Sequence, residues 1–244
     1  HKTPRRQRQM CIRDSLKAVE TAPMDNVVVI GGGTMGSGIA HALARSGSAV
    51  TLIESGDEAL DRARRRMTDL YEAAVQRGLI EAEVATAEQD TIRFQTGYDG
   101  VEDSGLVIEA VFEDMKIKQD VMKALDLAAP DAVLASNTSY LDIDLMAACL
   151  ADPSRLVGLH FFSPAHIMKL LEIVRGAATS DRSLATGYAL AKRLRKIPVE
   201  VGVCDGFVGN RMLQRVREAA ELLLIDGAEF KPVSYTHLTL PTRC

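Results

Sequence analysis

The sequence predicts an α/β fold: a doubly wound, mostly parallel sheet, followed by the truncated first helix of an all-α C-terminal domain. Three observations carry this. Apolar, β-branched runs alternate with segments of helical periodicity across residues 26–203. One of these runs leads straight into a glycine-rich turn, Gly31-Gly32-Gly33-Thr34-Met35-Gly36. Polar side chains able to do chemistry, among them Glu54, Glu113, Ser139 and His160, follow the ends of the apolar runs. Ligands of such sheets sit beyond the carboxyl ends of the strands.

Val27-Val28-Val29-Ile30 reads as a buried parallel strand. Gly31, Gly33 and Gly36 then match G-x-G-x-x-G, and Ile39–Arg45 reads as a helix. Gly31 turns the chain sharply, Gly33 lets backbone approach a pyrophosphate, and Gly36 lets helix and strand pack closely. Thr34 and Met35 stand at the helix start, whose free N–H groups face the phosphates. This is the dinucleotide-binding, or Rossmann, pattern. A second strand, Ala49–Ile53, ends in Glu54, 21 residues past Gly33. A carboxylate there takes both ribose hydroxyls of an adenosine and repels a 2′-phosphate, so the cofactor expected is NAD rather than NADP.

Residues 56–78 form a long helix with apolar Leu60, Met67, Leu70 and Ala74. Its charged stretch, Arg62-Ala63-Arg64-Arg65-Arg66, reads first as a solvated face; the alternative is contact with the phosphates of a coenzyme A tail. Strands follow at 92–94, 105–108, 132–135 and 156–159, with a helix at 116–128. A strand at 170–174 holds Glu172, a helix covers 181–195, and a last strand covers 198–203. Cys204-Asp205-Gly206-Phe207 leads into a helix with Asn210 in its first turn. Val208, Met212, Val216, Ala219 and Leu223 give that helix an apolar stripe that needs partner helices. Residues 204–231 are therefore expected to open a helical domain cut off in its first helix, and the chain by itself to be inactive.

The ends of the chain have a different origin. Residues 5–14 and 233–242 translate from opposite strands of one DNA segment, with all ten codons paired in reverse order. Residues 1–15 and 232–244 are accordingly expected to be translated sequencing adapter, excluded from the fold; a basic arm and a polar tail would not explain the complementarity. Setting these ends aside removes six of the 29 basic and one of the 33 acidic residues, leaving a net charge of −9. No case for nucleic acid or a membrane surface survives that balance. Residues 16–25 read as a linker, with Met24 as one candidate start. The remaining Cys149 and Cys204 lack metal-ligand spacing, so no metal is expected and a reducing compartment is. No apolar run approaches the roughly 18 residues of a membrane span.

Taken together, six segments resemble the L-3-hydroxyacyl-CoA dehydrogenase family of fatty-acid β-oxidation. They are Gly31–Ala40, Glu109–Lys118, Ser136–Ser139, His160-Phe161-Phe162-Ser163-Pro164, Met168–Glu172 and Asp205–Arg211. Ser163, where many single-function members carry Asn, resembles the dehydrogenase part of multifunctional β-oxidation proteins. The resemblance implies NAD-dependent oxidation of (S)-3-hydroxyacyl-CoA to 3-oxoacyl-CoA. It implies His160 as general base, a role suited by an ordinary imidazole pKa of about 6.5. It implies Glu172 as the carboxylate that orients His160, Ser139 as a hydrogen-bond partner of the oxygen at C3, and Asn210 as a substrate-orienting residue. Glu113 and Lys118 match cofactor-contacting positions. An acyl-CoA substrate follows, with the parent a homodimer or part of a multifunctional polypeptide. The location implied is cytoplasmic, or peroxisomal or mitochondrial in a eukaryote.

Plainer readings stand beside these. His160 is then a satisfied core histidine, Ser139 and Asn210 are helix caps, Glu113 is a solvated acid, and His166 is structural. Two other functions compete: a β-hydroxyacid dehydrogenase acting on a free acid, and a non-catalytic NAD-binding relative. A His160–Glu172 pair argues against the lysine-based members of the first. The four intact site residues argue against the second.

Overall fold

The computed structural model describes residues 16–229; the segments read as adapter, 1–15 and 232–244, lie outside the described residues. The strands are β1 (Asn26–Ile30), β2 (Ala49–Glu54), β3 (Ile92–Thr96), β4 (Leu106–Glu109), β5 (Val133–Ser136), β6 (Leu156–Phe161), β7 (Leu170–Arg175) and β8 (Ile197–Gly202). The helices are α1 (Thr34–Arg45), α2 (Asp57–Gln76), α3 (Ala82–Asp90), α4 (Met115–Ala128), α5 (Ile143–Ala147), α6 (Asp181–Arg193) and α7 (Gly209–Ile225).

The strands form one sheet in the order β3-β2-β1-β4-β5-β6-β7-β8. Pairs from β3 through β6 are parallel, β6 and β7 are antiparallel, and β8 runs parallel to β7. The order reverses at β1, which pairs with β2 on one side and β4 on the other. A crevice at such a switch point is where doubly wound sheets bind ligands. Both faces of the sheet are covered. One apolar cluster joins Val27, Val29 and Leu52 to Ile39 and Leu43 of α1 and Leu190 of α6. The other joins Val28, Val107 and Leu134 to Met122 and Leu125 of α4 and Ile143 of α5. Burial on both faces explains why β1, β4 and β5 read as unbroken apolar runs rather than alternating ones. Each fully buried Leu or Ile contributes about 1.5–3 kcal/mol.

Local chemistry sets the helix starts. Asp114 accepts from the Ile117 amide at 2.9 Å to cap α4, Asp142 accepts from Asp144 at 2.8 Å to cap α5, and Ser180 accepts from Ser183 at 3.2 Å to cap α6. Two helices lack the stripe by which helices are read from sequence: α3 buries only Ala85, and α5 is a single turn.

The segment expected to be a linker is packed onto the domain. Leu16 and Ala22 are buried, the Ala22 amide donates to Thr186 Oγ1 at 2.9 Å, and Arg193 donates to the Met24 carbonyl at 3.0 Å. Residues 16–25 therefore dock against α6. By contrast, α7 buries only Ala220, and Met212, Val216 and Leu223 of its stripe are exposed.

Candidate active site

The glycine loop closes the gap between β1 and β4. Gly31 adopts φ +93°, and a Cβ there would stand 2.8 Å from the Ala110 carbonyl oxygen. A Cβ on Gly36 would run into the Gly31 carbonyl oxygen. At Gly33 nothing lies within 4 Å of a Cβ position, so that backbone faces open space. The Gly32 peptide is held from both sides. Its N–H donates to Glu54 Oε1 at 2.7 Å, and its carbonyl accepts from Ser37 Oγ at 2.8 Å and Arg66 Nη1 at 3.2 Å. One arginine of the charged stretch thus braces the loop, while Arg64 lies 4.6 Å over the Phe94 ring.

Beside the loop lies a cavity of about 800 Å3, lined by Gly31, Gly33, Thr34, Met35 and Glu54 together with Tyr98 and Phe112. That size suits a small-molecule or cofactor site. The free N–H groups at the start of α1 meet it from one side, the Glu54 carboxylate from another, and aromatic walls complete it. A dinucleotide fits this donor set: phosphate at the helix start, ribose at the carboxylate, base on the apolar wall. Glu54 Oε1 already accepts the Gly32 amide, and Oε2 accepts from the Ser55 amide at 3.2 Å, which fixes its orientation.

At the end of β4 the chain buries a charge network. Lys118 Nζ donates to Glu109 Oε1 at 2.6 Å and to the Val111 carbonyl at 3.4 Å, and lies 3.3 Å from Glu113 Oε2. Its three ammonium protons are thus matched by three partners in the protein, and its side chain is 1% exposed. Glu109 Oε2 accepts from Ser136 Oγ at 2.6 Å. Glu113 Oε1 accepts from Thr138 Oγ1 at 2.6 Å and from the amides of Ser139 and Tyr140 at 2.7 and 3.2 Å. Burial opposes the charge of Glu113, but these donors and the Lys118 ammonium outweigh it and hold the carboxyl below the usual carboxylate range. Glu113, whose side chain is 36% exposed, therefore shapes the Ser136–Tyr140 turn through Oε1 while it stays in contact with solvent.

The third group forms where β6 and β7 pair. Antiparallel register sets His160 opposite Glu172, with Nδ1 2.7 Å from Oε2, and both residues are buried. With Nδ1 donating to the carboxylate, the neutral ring presents Nε2 as its free base. Phe162 and Phe207 flank the imidazole, with ring centroids 4.4 and 5.7 Å away. The other oxygen of Glu172 accepts from the amides of Val208 and Gly209 at 3.0 and 2.8 Å.

The structure pairs His160 with Glu172 and Asn210 with Ser139, and the first turn of α7 touches both pairs. Asn210 Nδ2 reaches the Ser139 carbonyl at 3.5 Å, and Asn137 Oδ1 accepts from the Phe161 amide at 2.9 Å, tying the turn to β6. Neither Ser139 nor Asn210 is a cap: Asp142 caps α5, and Val208 occupies the N-cap position of α7 with no side-chain bond. Sequence reasoning missed Asn137, Glu109, Phe162 and the two amides on Glu172. Glu109 left a signal as an acid closing an apolar strand, and Asn137 and Phe162 lie within the segments that carry the family resemblance, without a role read from them. His166 is half-buried, edge-on to His41 at 5.4 Å. Among the described residues, no helix is long and apolar enough to cross a membrane, and no group of three or more His, Cys, Asp or Glu is placed to hold a metal.

Comparison with known proteins identifies the family of this domain. The family model "3-hydroxyacyl-CoA dehydrogenase, NAD binding domain" matches residues 26–204. The chain belongs to this family. A peroxisomal bifunctional enzyme of Danio rerio is 42% identical over 206 residues, covering 84% of this chain and 28% of that protein. A fatty acid oxidation complex subunit alpha of Colwellia psychrerythraea is 35% identical over 214 residues, covering 87% and 30%. The chain thus spans less than a third of the length of these curated relatives. Among solved structures, FadB2 of M. tuberculosis superimposes with a TM-score of 0.84 at 33% identity, covering 91% of this chain and 80% of that one. The (S)-3-hydroxybutyryl-CoA dehydrogenase PaaH1 of Ralstonia eutropha gives 0.83 at 31% identity, covering 90% and 79%. The matched family model is that of an NAD-binding domain, so the cofactor of this domain is NAD.

Proposed function

We propose that the chain supplies the cofactor domain and the base of an enzyme that oxidises (S)-3-hydroxyacyl-CoA to 3-oxoacyl-CoA in fatty-acid β-oxidation. The observation that carries this reading is the buried His160–Glu172 pair, in a domain whose glycine loop is bonded to the Glu54 carboxylate at the end of β2.

NAD, when bound, supplies the carbon that accepts hydride. Gly33, Thr34 and Met35 would hold its pyrophosphate, with Gly31 and Gly36 shaping the turn that presents them, and Glu54 would hold its adenosine ribose. Glu113 and Lys118 support the cofactor side of the cleft through the Ser136–Tyr140 turn. His160 Nε2 takes the proton of the 3-hydroxyl, and Glu172 stabilises the imidazolium that results. Ser139 hydrogen-bonds the oxygen at C3, and Asn210 orients the substrate from the first turn of α7. Residues from 204 onward begin a second, helical unit, and its partner helices cover the exposed stripe of α7.

The substrate is an acyl-CoA, and the parent is a multifunctional β-oxidation polypeptide, as the names of the relatives suggest. Its compartment is then the peroxisome in a eukaryote or the cytoplasm in a bacterium. The test is steady-state turnover of the whole protein with 3-hydroxyacyl-CoA and either NAD or NADP. NADH formation from the thioester supports the reading; turnover of a free hydroxyacid alone, or a preference for NADP, overturns it.

A further inference from the structure

We infer that Gly209 is a positioning residue of this site, because its missing side chain lets the amino end of α7 close on Glu172 and fix the His160 ring. The inference rests on the role proposed for His160, and extends it to a residue that touches neither cofactor nor substrate.

Glu172 has two oxygens with different duties. Oε2 meets His160 Nδ1 at 2.7 Å; Oε1 accepts from the amides of Val208 and Gly209 at 3.0 and 2.8 Å. The carboxylate cannot rotate away from the imidazole without breaking both amide bonds. Charge-assisted bonds of this kind are roughly twice as strong as neutral ones. The same turn of α7 carries Asn210, whose side chain reaches the Ser139 carbonyl at 3.5 Å. One helical turn therefore contacts both Glu172 and the Ser136–Tyr140 turn.

The close approach depends on residue 209. A Cβ there would lie 2.6 Å from Phe162 Cζ and 2.9 Å from Cε1, far inside van der Waals contact. Phe162 has little freedom to yield, because its ring lies 4.4 Å from the His160 ring. A methyl group at 209 thus either lifts the helix start off Glu172 or drives Phe162 onto His160. Both outcomes loosen the pair, by a path that runs Gly209, Phe162, His160.

A purely structural role for Gly209 predicts a loss of stability in Gly209→Ala with the His160 tautomer unchanged. The contact with Phe162 costs stability whatever it does to the ring, as overpacking does. Fold stability and ring position therefore report on different things.

The test compares wild type with Gly209→Ala, Phe162→Leu and the double variant Gly209→Ala/Phe162→Leu, each labelled with 15N. Nitrogen–proton correlation spectra of the five histidines read the tautomer of His160. Wild type is expected to show one His160 tautomer, protonated at Nδ1. Gly209→Ala is expected to show mixed His160 tautomers, with an unfolding temperature no higher than wild type. Phe162→Leu alone keeps the single tautomer, and in the double variant that tautomer returns, because the atom that the methyl strikes is gone. A wild-type His160 signal in Gly209→Ala overturns the inference, as does a double variant no better than Gly209→Ala. If Gly209→Ala does not fold, the double variant decides: folded with a single tautomer supports the inference, and unfolded overturns it. Turnover enters none of these readings, so a failed assay of the proposed reaction leaves this result standing.

Discussion

Lys118 Nζ lies 2.6 Å from Glu109 Oε1, and the two side chains are 1% and 0% exposed. A pair so deeply buried gains little net stability from its own attraction, but removing one partner strands a charge. Lys118→Met should therefore cost about 3–5 kcal/mol of unfolding free energy in urea titrations. The balanced variant Glu109→Gln/Lys118→Met should recover most of that loss. Equal destabilisation in the single and double variants would refute the pairing.

Glu54 fixes the cofactor preference. Glu54→Ala removes an anionic acceptor and should weaken NAD binding by about 10–100-fold, corresponding to roughly 1.5–3 kcal/mol. NADP binding should change far less, because the group that repels a 2′-phosphate goes with the acceptor. Calorimetric titration of both cofactors checks this, and an unchanged NAD affinity would remove Glu54 from the site.

Gly36→Ala places a methyl group against the Gly31 carbonyl oxygen, where only backbone can yield. Overpacking of this kind costs about 1–3 kcal/mol. The loop must shift, so NAD affinity should fall together with thermal stability. Gly33→Ala meets no atom within 4 Å and should leave stability unchanged while reducing NAD affinity. Reversal of this order in thermal melts would contradict the loop geometry.

His41 gives the fold an acid-sensitive point. Its ring is buried, neither nitrogen has a hydrogen-bond partner among the described residues, and burial, with His166 and Arg45 nearby, lowers its pKa to about 4. Above pH 6.5 the ring is mostly neutral in both folded and unfolded chain, so it adds little pH dependence there. As pH falls from 6.5 to 4, the unfolded chain binds a proton that the folded one refuses, so stability is lost. The loss levels off below pH 4 at about 3 kcal/mol. His41→Leu should flatten the stability profile between pH 6.5 and 4; a variant as pH-sensitive as wild type would exclude His41 as the cause.

The parts of this protein legible in its sequence are those written in neighbouring residues. β1, the glycine loop, α1 and Glu54 follow one another within 30 residues, each marked by its own residue types. His160 and Glu172 were legible as chemistry, but their contact depends on an antiparallel register that twelve residues of spacing do not specify. Lys118 shows the opposite case. Its motif placed it near the cofactor, yet only tertiary packing reveals that Glu109, Val111 and Glu113 take up its ammonium group. Residues 16–25 carry no periodic pattern, and their docking on α6 rests on a few contacts from distant positions, such as Ala22 to Thr186.

The central claim is that His160 and Glu172 act as one unit on the substrate proton. Its most direct measurement is a double-mutant cycle in the whole protein, following NADH absorbance with a 3-hydroxyacyl-CoA substrate. His160→Gln should lower turnover by about 100-fold or more with NAD affinity nearly unchanged, and Glu172→Gln should do nearly as much. The predicted double variant is no worse than the worse single. Losses that multiply, or a His160→Gln enzyme that keeps its turnover, would contradict the account.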